Sequence, residues 1–316
     1  MSLNPKELKL QAQQALGVQN GDPRRLTVLH EGVILGAGLL LAVLDLCLGL
    51  LVDQAGGLGS LGIRSALSTA VAFLDLVADL LSPFWSFGIV AVALAFAQSQ
   101  QARGSTLLGG FHRFGPVLRL LILEALMIAG ILMGIVYAGS IITVLLPSSP
   151  ELEAFISDNY AAFMENPEAV MAQMPVQLMV STLLVPMLLI SALCLAVLIP
   201  LLYKLALCQY AVLDKPGTGA LAAISFSMRK MKGNCLAFFK LDLSFWWYYA
   251  LVFLLGGVQS LDILLPQLGV TLPVSQEVAR LILYALSGAG TLTLAWFVGP
   301  KVITTYANAY VTLRDE

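Results

Sequence analysis

The feature that most constrains this chain is a set of apolar runs too long for a soluble core. A membrane-spanning helix needs about 20 predominantly apolar residues, and such runs occupy 26–52, 116–146, 175–213, 234–257 and 278–305. A sixth, 83–100, is shorter and follows 63–81, an apolar stretch with Arg64, Ser68, Asp75 and Asp79 along one helical face. Ser82-Pro83 predicts a break between the two, because proline lacks a backbone donor and disfavours helix in the residue before it. On that reading 63–81 is an interfacial or half-inserted helix and 83–100 is the span. Only 11% of the residues are charged, against roughly 25% in soluble domains, so no soluble alternative competes. The expected fold class is all-α, a polytopic membrane bundle of six transmembrane helices. It forms a single membrane domain over 26–316, behind an amphipathic N-terminal segment, 1–25.

The basic residues alternate along the chain. Lys6, Lys9, Arg24 and Arg25 precede the first span; Arg103, Arg113 and Arg119 lie around the start of the third. Lys215, Arg229, Lys230 and Lys232 separate the fourth from the fifth, and Arg314 follows the sixth. The opposite loops hold only Arg64 and Arg280, and the loop at 147–174 has Glu151, Glu153, Asp158, Glu165 and Glu168 with no Lys or Arg. The positive-inside rule then places both termini in the cytoplasm and the acidic loop outside. The polar start predicts no cleavable signal peptide, so the first span inserts and stays. A net charge of −2 with no clustered basic face excludes nucleic acid as a partner. Cys47, Cys194, Cys208 and Cys235 show no CxxC spacing and read as small buried hydrophobes with free thiols.

An internal echo runs through the chain. Glu124 and Asp242 each lie nine residues after a glycine, Gly115 and Gly233. Each glycine follows a short amphipathic stretch: Leu107, Leu108, Phe111 and Phe114 in one, Leu221, Ile224, Met228 and Met231 in the other. The N-terminus has the same form: a capped helix start at Asn4, Pro5 and Glu7, then Arg24-Arg25, then Glu31. Pro200 and Pro300 are each followed ten residues later by a tyrosine, Tyr210 and Tyr310. The pattern predicts a threefold repeat of in-plane helix, span and return span.

The candidate intramembrane polar site comprises Glu31, Glu124, Lys204, Lys240, Asp242, Trp246 and Tyr249. Lys240 can snorkel along its own stem, but Asp242 is too short, and a charged side chain at the centre of a span costs about 2.5–3.5 kcal/mol on insertion scales. It must face the bundle and find a partner. On a straight helix Asp242, Trp246, Tyr249 and Phe253 share one face, where indole and phenol groups are available to it. Two readings stay open. Either these groups form a structural clasp that sets helix register, or Glu31, Glu124 and Asp242 converge with Lys204 on a cytoplasm-facing cavity. The aromatics Trp246 to Tyr249 lie too deep for an interface belt, so core packing is expected of them, with a substrate path as the alternative. Asp45, Asp75 and Asp79 read as a solvated face, with an outer polar cluster as the alternative. Gly36-Ala37-Gly38 and Gly288-Ala289-Gly290 read as places where helices approach closely. His30 and His112 lack a second histidine at i+4, and no Walker, GxSxG or Rossmann motif is present. The expectation is no catalytic set, no cofactor and no metal.

Two stretches carry a family resemblance: SMRKMKGNCLAFFKLDLSFWWY at 227–248 and GPKVITTYANAYVTL at 299–313. They resemble the bacterial membrane family known as domain of unknown function 975, with Met231, Lys232, Gly233 and Asn234 ahead of Leu241, Asp242, Leu243, Ser244 and Phe245, then Pro300, Thr304, Thr305, Ala307 and Tyr310. The long acidic loop departs from that pattern. The resemblance implies a bacterial plasma-membrane protein and no particular activity. The functional expectation is transport or handling of a small molecule or lipid through a cytoplasm-facing cavity. The alternative is a non-catalytic membrane scaffold or accessory subunit; a membrane enzyme fares worst. The expected partners are the lipid bilayer and a small-molecule or lipid substrate. A cysteine placed at Ser157 should label only from outside, and one within 216–232 only from the cytoplasm. Labelling at Ser157 from the cytoplasmic face would reject the six-span topology.

Overall fold

The computed structural model describes residues 3–18, 23–55, 58–145, 150–166, 175–261, 264–265 and 276–315, and these contain helices and no strand. In chain order the elements are α1 (Pro5–Gly17), α2 (Pro23–Ala55), α3 (Leu58–Ala97), a 3-10 turn (Gly104–Leu108), α4 (Gly109–His112) and α5 (Phe114–Leu145). Then come α6 (Pro150–Asp158), α7 (Tyr160–Glu165), α8 (Val176–Leu205), α9 (Cys208–Asp214) and α10 (Ala220–Met231). The last four are α11 (Cys235–Leu243), α12 (Trp246–Gln259), α13 (Gln276–Phe297) and α14 (Gly299–Asp315). Among the described residues five stretches are long and apolar enough to cross a membrane: Pro23–Leu44, Ser68–Ala97, Phe114–Ile141, Met187–Asp214 and Val278–Phe297. The bent pair α11–α12 makes a sixth when counted as one span. The protein is an all-α polytopic membrane bundle. A short helix, a long helix and a return helix follow one another three times: α1–α2–α3, then turn and α4–α5–α8/α9, then α10–α11/α12–α13/α14.

Helix breaks occur at other places than proline alone suggests. Pro83 lies inside α3, which runs unbroken through Ser82-Pro83, so the separate helix at 63–81 and the span starting at 83 are corrected to one helix. Packing holds it together: Phe84 and Phe87 are buried, and the 3-10 turn and α4 lie flat against this stretch. A proline's lost hydrogen bond is tolerated in an apolar helix supported in this way. Conversely, the straight span at 234–257 is two helices, α11 and α12, bent by 66°. The Ser244 hydroxyl turns back to Leu241 O at 2.5 Å, a side-chain bond that competes with the helix ladder. Phe245 leaves helical geometry at φ −114°, ψ 17°. Lys9 from α1 supplies the carbonyl of Ser244 with a donor at 2.8 Å. The run at 175–213 breaks between α8 and α9, where the Leu207 N–H is taken up by the buried Ser227 hydroxyl of α10 at 3.1 Å. The run at 278–305 ends with α13, and Gly299-Pro300 opens α14, proline being suited to a helix start.

The chain divides into two compact units, 1–120 with 206–316, and 121–205. The core of the first gathers on α14, where Val302, Thr304, Thr305, Ala307, Ala309, Tyr310 and Leu313 are buried. α14 packs on α1 and α3, and α13 packs on α2 and α12. The short helices pack by their apolar sides, with Leu8 and Ala12 of α1, Leu107 of the turn, and Ile224 and Met231 of α10 buried. Leu221 is exposed, so its expected place in that apolar stripe is corrected. The two small-residue patches do serve close approach: Gly38 faces the Tyr284 ring, and a methyl at Gly288 would touch Leu35 at 3.7 Å.

In the second unit, α5 and α8 present Leu126, Met133, Val136, Tyr137, Met187, Leu188 and Leu195 outward, as lipid-facing helices do. Gly139 there abuts Ile190. The acidic loop contains α6 and α7, while 146–149 and 167–174, with Glu168, lie outside the described residues. Asp75 and Asp79 are exposed; the side chain of Asp45 lies outside the description. All four cysteines are free thiols, and Cys208 is buried, but Cys47 is exposed, against its expected burial.

The tightest backbone approaches are at Gly88 and Gly110. A Cβ at the first would collide with the Leu107 carbonyl, and at the second with the Phe84 carbonyl. Gly88→Ala and Gly110→Ala should each destabilise the protein by about 1–3 kcal/mol. Gly115→Ala, where nothing lies within 4 Å, should not. The thermal midpoint in detergent by fluorescence-detected gel filtration measures this.

Candidate functional site

A buried carboxylate in the first unit, Asp214, the last residue of α9, gathers donors from two other elements. Its carboxylate is 7% exposed, and burying a charge is costly without partners. Gln98, just past α3, donates to Oδ1 at 2.7 Å, the Tyr310 hydroxyl to Oδ2 at 3.0 Å, and Arg314 Nη1 to both oxygens at 3.2 and 3.1 Å. Gln98, Asp214 and Arg314 lie fifteen, fourteen and fourteen residues after Pro83, Pro200 and Pro300. All three return helices therefore end at one clasp. The echoing tyrosines meet there too, Tyr210 stacked on Tyr310 with centroids 5.5 Å apart and Phe226 edge-on at 6.0 Å.

Electrostatics reinforce the clasp. Burial first, then the Asp214 charge, pushes the Tyr310 hydroxyl well above its ordinary pKa, so its proton stays in place to donate. The Asp315 hydrogen bond at 2.8 Å, with Asp214 behind it, holds Arg314 above its usual range, and Arg314 holds Asp315 below the usual carboxylate range.

A cavity of about 440 Å³ opens beside the clasp. Gln98, Gln100, Gln101, Ser105, Thr106, His112, Arg113 and Asp214 line its polar side, and Ala91, Leu94, Ala95 and Leu213 its apolar wall. Arg113 Nη1 donates to Val212 O at 2.5 Å, which ties α4 to α9 at the rim.

A second polar chain runs through α11 and α14. The Tyr306 hydroxyl donates to Asp242 and is joined to the Tyr249 hydroxyl at 2.6 Å. The Phe238 and Phe245 rings flank Tyr306 at 6.5 and 6.4 Å, and the Lys9 ammonium sits 3.9 Å over Phe245. Tyr306, Tyr310 and Arg314 recur every four residues on α14, one helical face. That spacing is the signal the sequence reading passed over.

The family follows from a match over residues 1–288 to the family described as Protein of unknown function (DUF975). The chain belongs to the DUF975 family. No curated protein and no solved structure matches it. The DUF975 match covers 227–248 and ends before α14, so Tyr306, Tyr310 and Arg314 lie beyond it.

Of the expected site residues in this DUF975 chain, Asp242 and Tyr249 are brought together, through Tyr306. Glu31 is half-buried on α2, with His30 Nδ1 3.1 Å from its carboxylate and the His30 ring stacked on Trp85 at 5.7 Å. Lys240 is exposed. Trp246 is 64% exposed and Trp247 41%, which corrects the expectation of core packing. The bend turns α12 off the axis of α11, so Trp246 and Phe253 do not continue the face of Asp242. Glu124, half-buried on α5, and Lys204, exposed in the last turn of α8, belong to the second unit. Among the described residues no three His, Cys, Asp or Glu side chains group as metal ligands.

Asp214→Ala leaves Gln98, Tyr310 and Arg314 without their shared acceptor and should destabilise the protein by about 3 kcal/mol. Asp315→Ala, at an exposed ion pair, should leave the thermal midpoint nearly unchanged. Tyr306→Phe, which removes a bond to a carboxylate, should fall between them at about 1.5–3 kcal/mol. Thermal midpoints in detergent rank the three.

Proposed function

We propose that this DUF975 protein takes up a small polar molecule at the cavity beside Asp214 and handles it across a bacterial plasma membrane, with that cavity and both termini on the cytoplasmic side. The observation that carries the reading is the lining. Three glutamine side chains, two hydroxyls, His112 and Arg113 converge on about 440 Å³, within the range of small-molecule sites, roughly 300–1,000 Å³. Amide and hydroxyl groups both donate and accept, which suits a polyfunctional solute better than a lipid tail. The distribution of Lys and Arg supports the orientation. The bent α11–α12 pair supports movement, because broken helices in transporters place backbone and side-chain groups where a path needs them.

One observation favours the scaffold reading instead. Asp242 is held by Tyr306, a bond that suits a fixed register pin. Proteoliposomes incubated with a defined mixture of amino acids, nucleosides and sugars, with contents read by mass spectrometry, separate the two. Transport predicts at least one solute enriched over empty vesicles and a loss of about tenfold or more, the size of a 1.4 kcal/mol effect, when Ser105→Trp fills the cavity. Asp242→Asn that folds normally but loses flux supports transport; one that only lowers the thermal midpoint supports the scaffold. Enrichment of no solute by wild type removes the transport reading.

A further inference from the structure

The cavity beside Asp214 is lined by Arg113 and Asp214, and among the described residues no ion pair joins the two. Each is held by other groups. Arg113 Nη1 is committed to the Val212 carbonyl at 2.5 Å, which fixes the guanidinium at the rim and leaves the rest of its donor fork for a ligand. Asp214 is bonded by Gln98, Tyr310 and Arg314. Arg314 lies outside the lining and divides its charge between Asp214 and Asp315, the latter 2.8 Å away. Gln98 commits its amide N–H to Asp214 at 2.7 Å, so its carbonyl oxygen is the end left over. His112 Nδ1 lies 2.9 Å from the Leu108 carbonyl, which can only accept, so Nδ1 carries the hydrogen and Nε2 of the neutral ring is an acceptor. The lining thus sets one fixed cationic donor against one carboxylate and two further acceptors. A singly charged solute gains from one of the two charges and is opposed by the other, whereas a solute with both signs gains twice.

We propose that the solute is a zwitterion, a free amino acid or a dipeptide, with its carboxylate on Arg113 and its ammonium on the side of Asp214 and Gln98. This rests on the reading that the cavity takes up a small polar molecule, and it names the class. The planar guanidinium pairs with a carboxylate through parallel hydrogen bonds, which fixes one end of the solute. At the other end the four lone-pair sites of Asp214 are already filled, so it attracts the ammonium by charge while the Gln98 carbonyl oxygen accepts the hydrogen bond. Leu94 and Leu213 of the apolar wall meet the carbon skeleton between.

Equilibrium dialysis of the full chain in detergent against each proteinogenic L-amino acid, and against alanylglutamine, finds the tightest binder and tells amino acid from dipeptide. That binder is then compared with its decarboxylated amine and its deaminated acid. Both analogues should bind about tenfold or more weaker, the scale of one charge-assisted hydrogen bond. Arg113→Gln should bind the amine as tightly as the zwitterion, a change of preference that a merely loosened fold does not produce. Arg119→Gln, the same charge change at an exposed residue off the lining, should keep the wild-type preference. Wild type that binds either analogue as well as the zwitterion, or binding that survives Ser105→Trp, would overturn the proposal. Binding of uridine or ribose with no amino acid or dipeptide bound also overturns it, yet leaves uptake of a small polar molecule standing; binding of none of these probes removes both. Should Arg113→Gln fail to fold, the wild-type ranking of zwitterion, amine and acid decides.

Discussion

A carboxylate out of water has to be surrounded by donors, and Asp214 shows what that requirement does to a membrane bundle. Its side chain is 7% exposed, and its donors come from just past α3 and from two residues of α14, distant in sequence. Satisfying one charge thereby fixes the ends of three return helices at a common level. The ring stack of Tyr210 on Tyr310 then sets the distance between α9 and α14. A wholly apolar contact would allow these helices to slide past one another, whereas directional bonds to one carboxylate define a single register.

The same logic governs the broken helices. Apolar surroundings offer no water to a freed backbone group, so irregular backbone survives only where protein supplies the missing partner. At the α11–α12 bend the partner of the Ser244 carbonyl is Lys9; at the α8–α9 break the partner of the Leu207 amide is the Ser227 hydroxyl. The donor comes from the short amphipathic helix α1 and the acceptor from α10. Those helices therefore act as more than covers for an apolar surface. Each caps a break in a neighbouring span, and the apolar residues Leu8, Ala12, Ile224 and Met231 hold the cap in place.

Fold class and helix count were legible because apolar run length is set by the bilayer and appears in any single sequence. The order of short and long helices was legible too, through amphipathic stretches before Gly115 and Gly233. Break positions were not. Pro83 looked decisive locally, yet the packing of α4 against Phe84 and of the 3-10 turn against Gly88 overrides it. Ser244-Phe245 looked ordinary, yet it bends because Lys9, 235 residues away, makes the bent carbonyl affordable. The site was half legible. Asp242 announced itself as a short charged side chain in an apolar run and did find a phenol partner, Tyr306. Asp214 stayed hidden because it closes a span, where a carboxylate looks solvated, and only the meeting of α9 with α14 buries it.

The position of α14 in the chain sets a timetable for assembly. Every other described element leaves the ribosome before 299–315, at about 5–20 residues per second. Until then Asp214 lacks Tyr310 and Arg314, and Asp242 lacks Tyr306. The spans enter the membrane before these donors exist, and the arrival of α14 supplies them to both carboxylates together. A nascent chain halted before residue 306 would hold its helices in the bilayer with none of these contacts made. Such a half-built intermediate differs from the native bundle by the three donors of α14 that Asp214 and Asp242 have yet to receive.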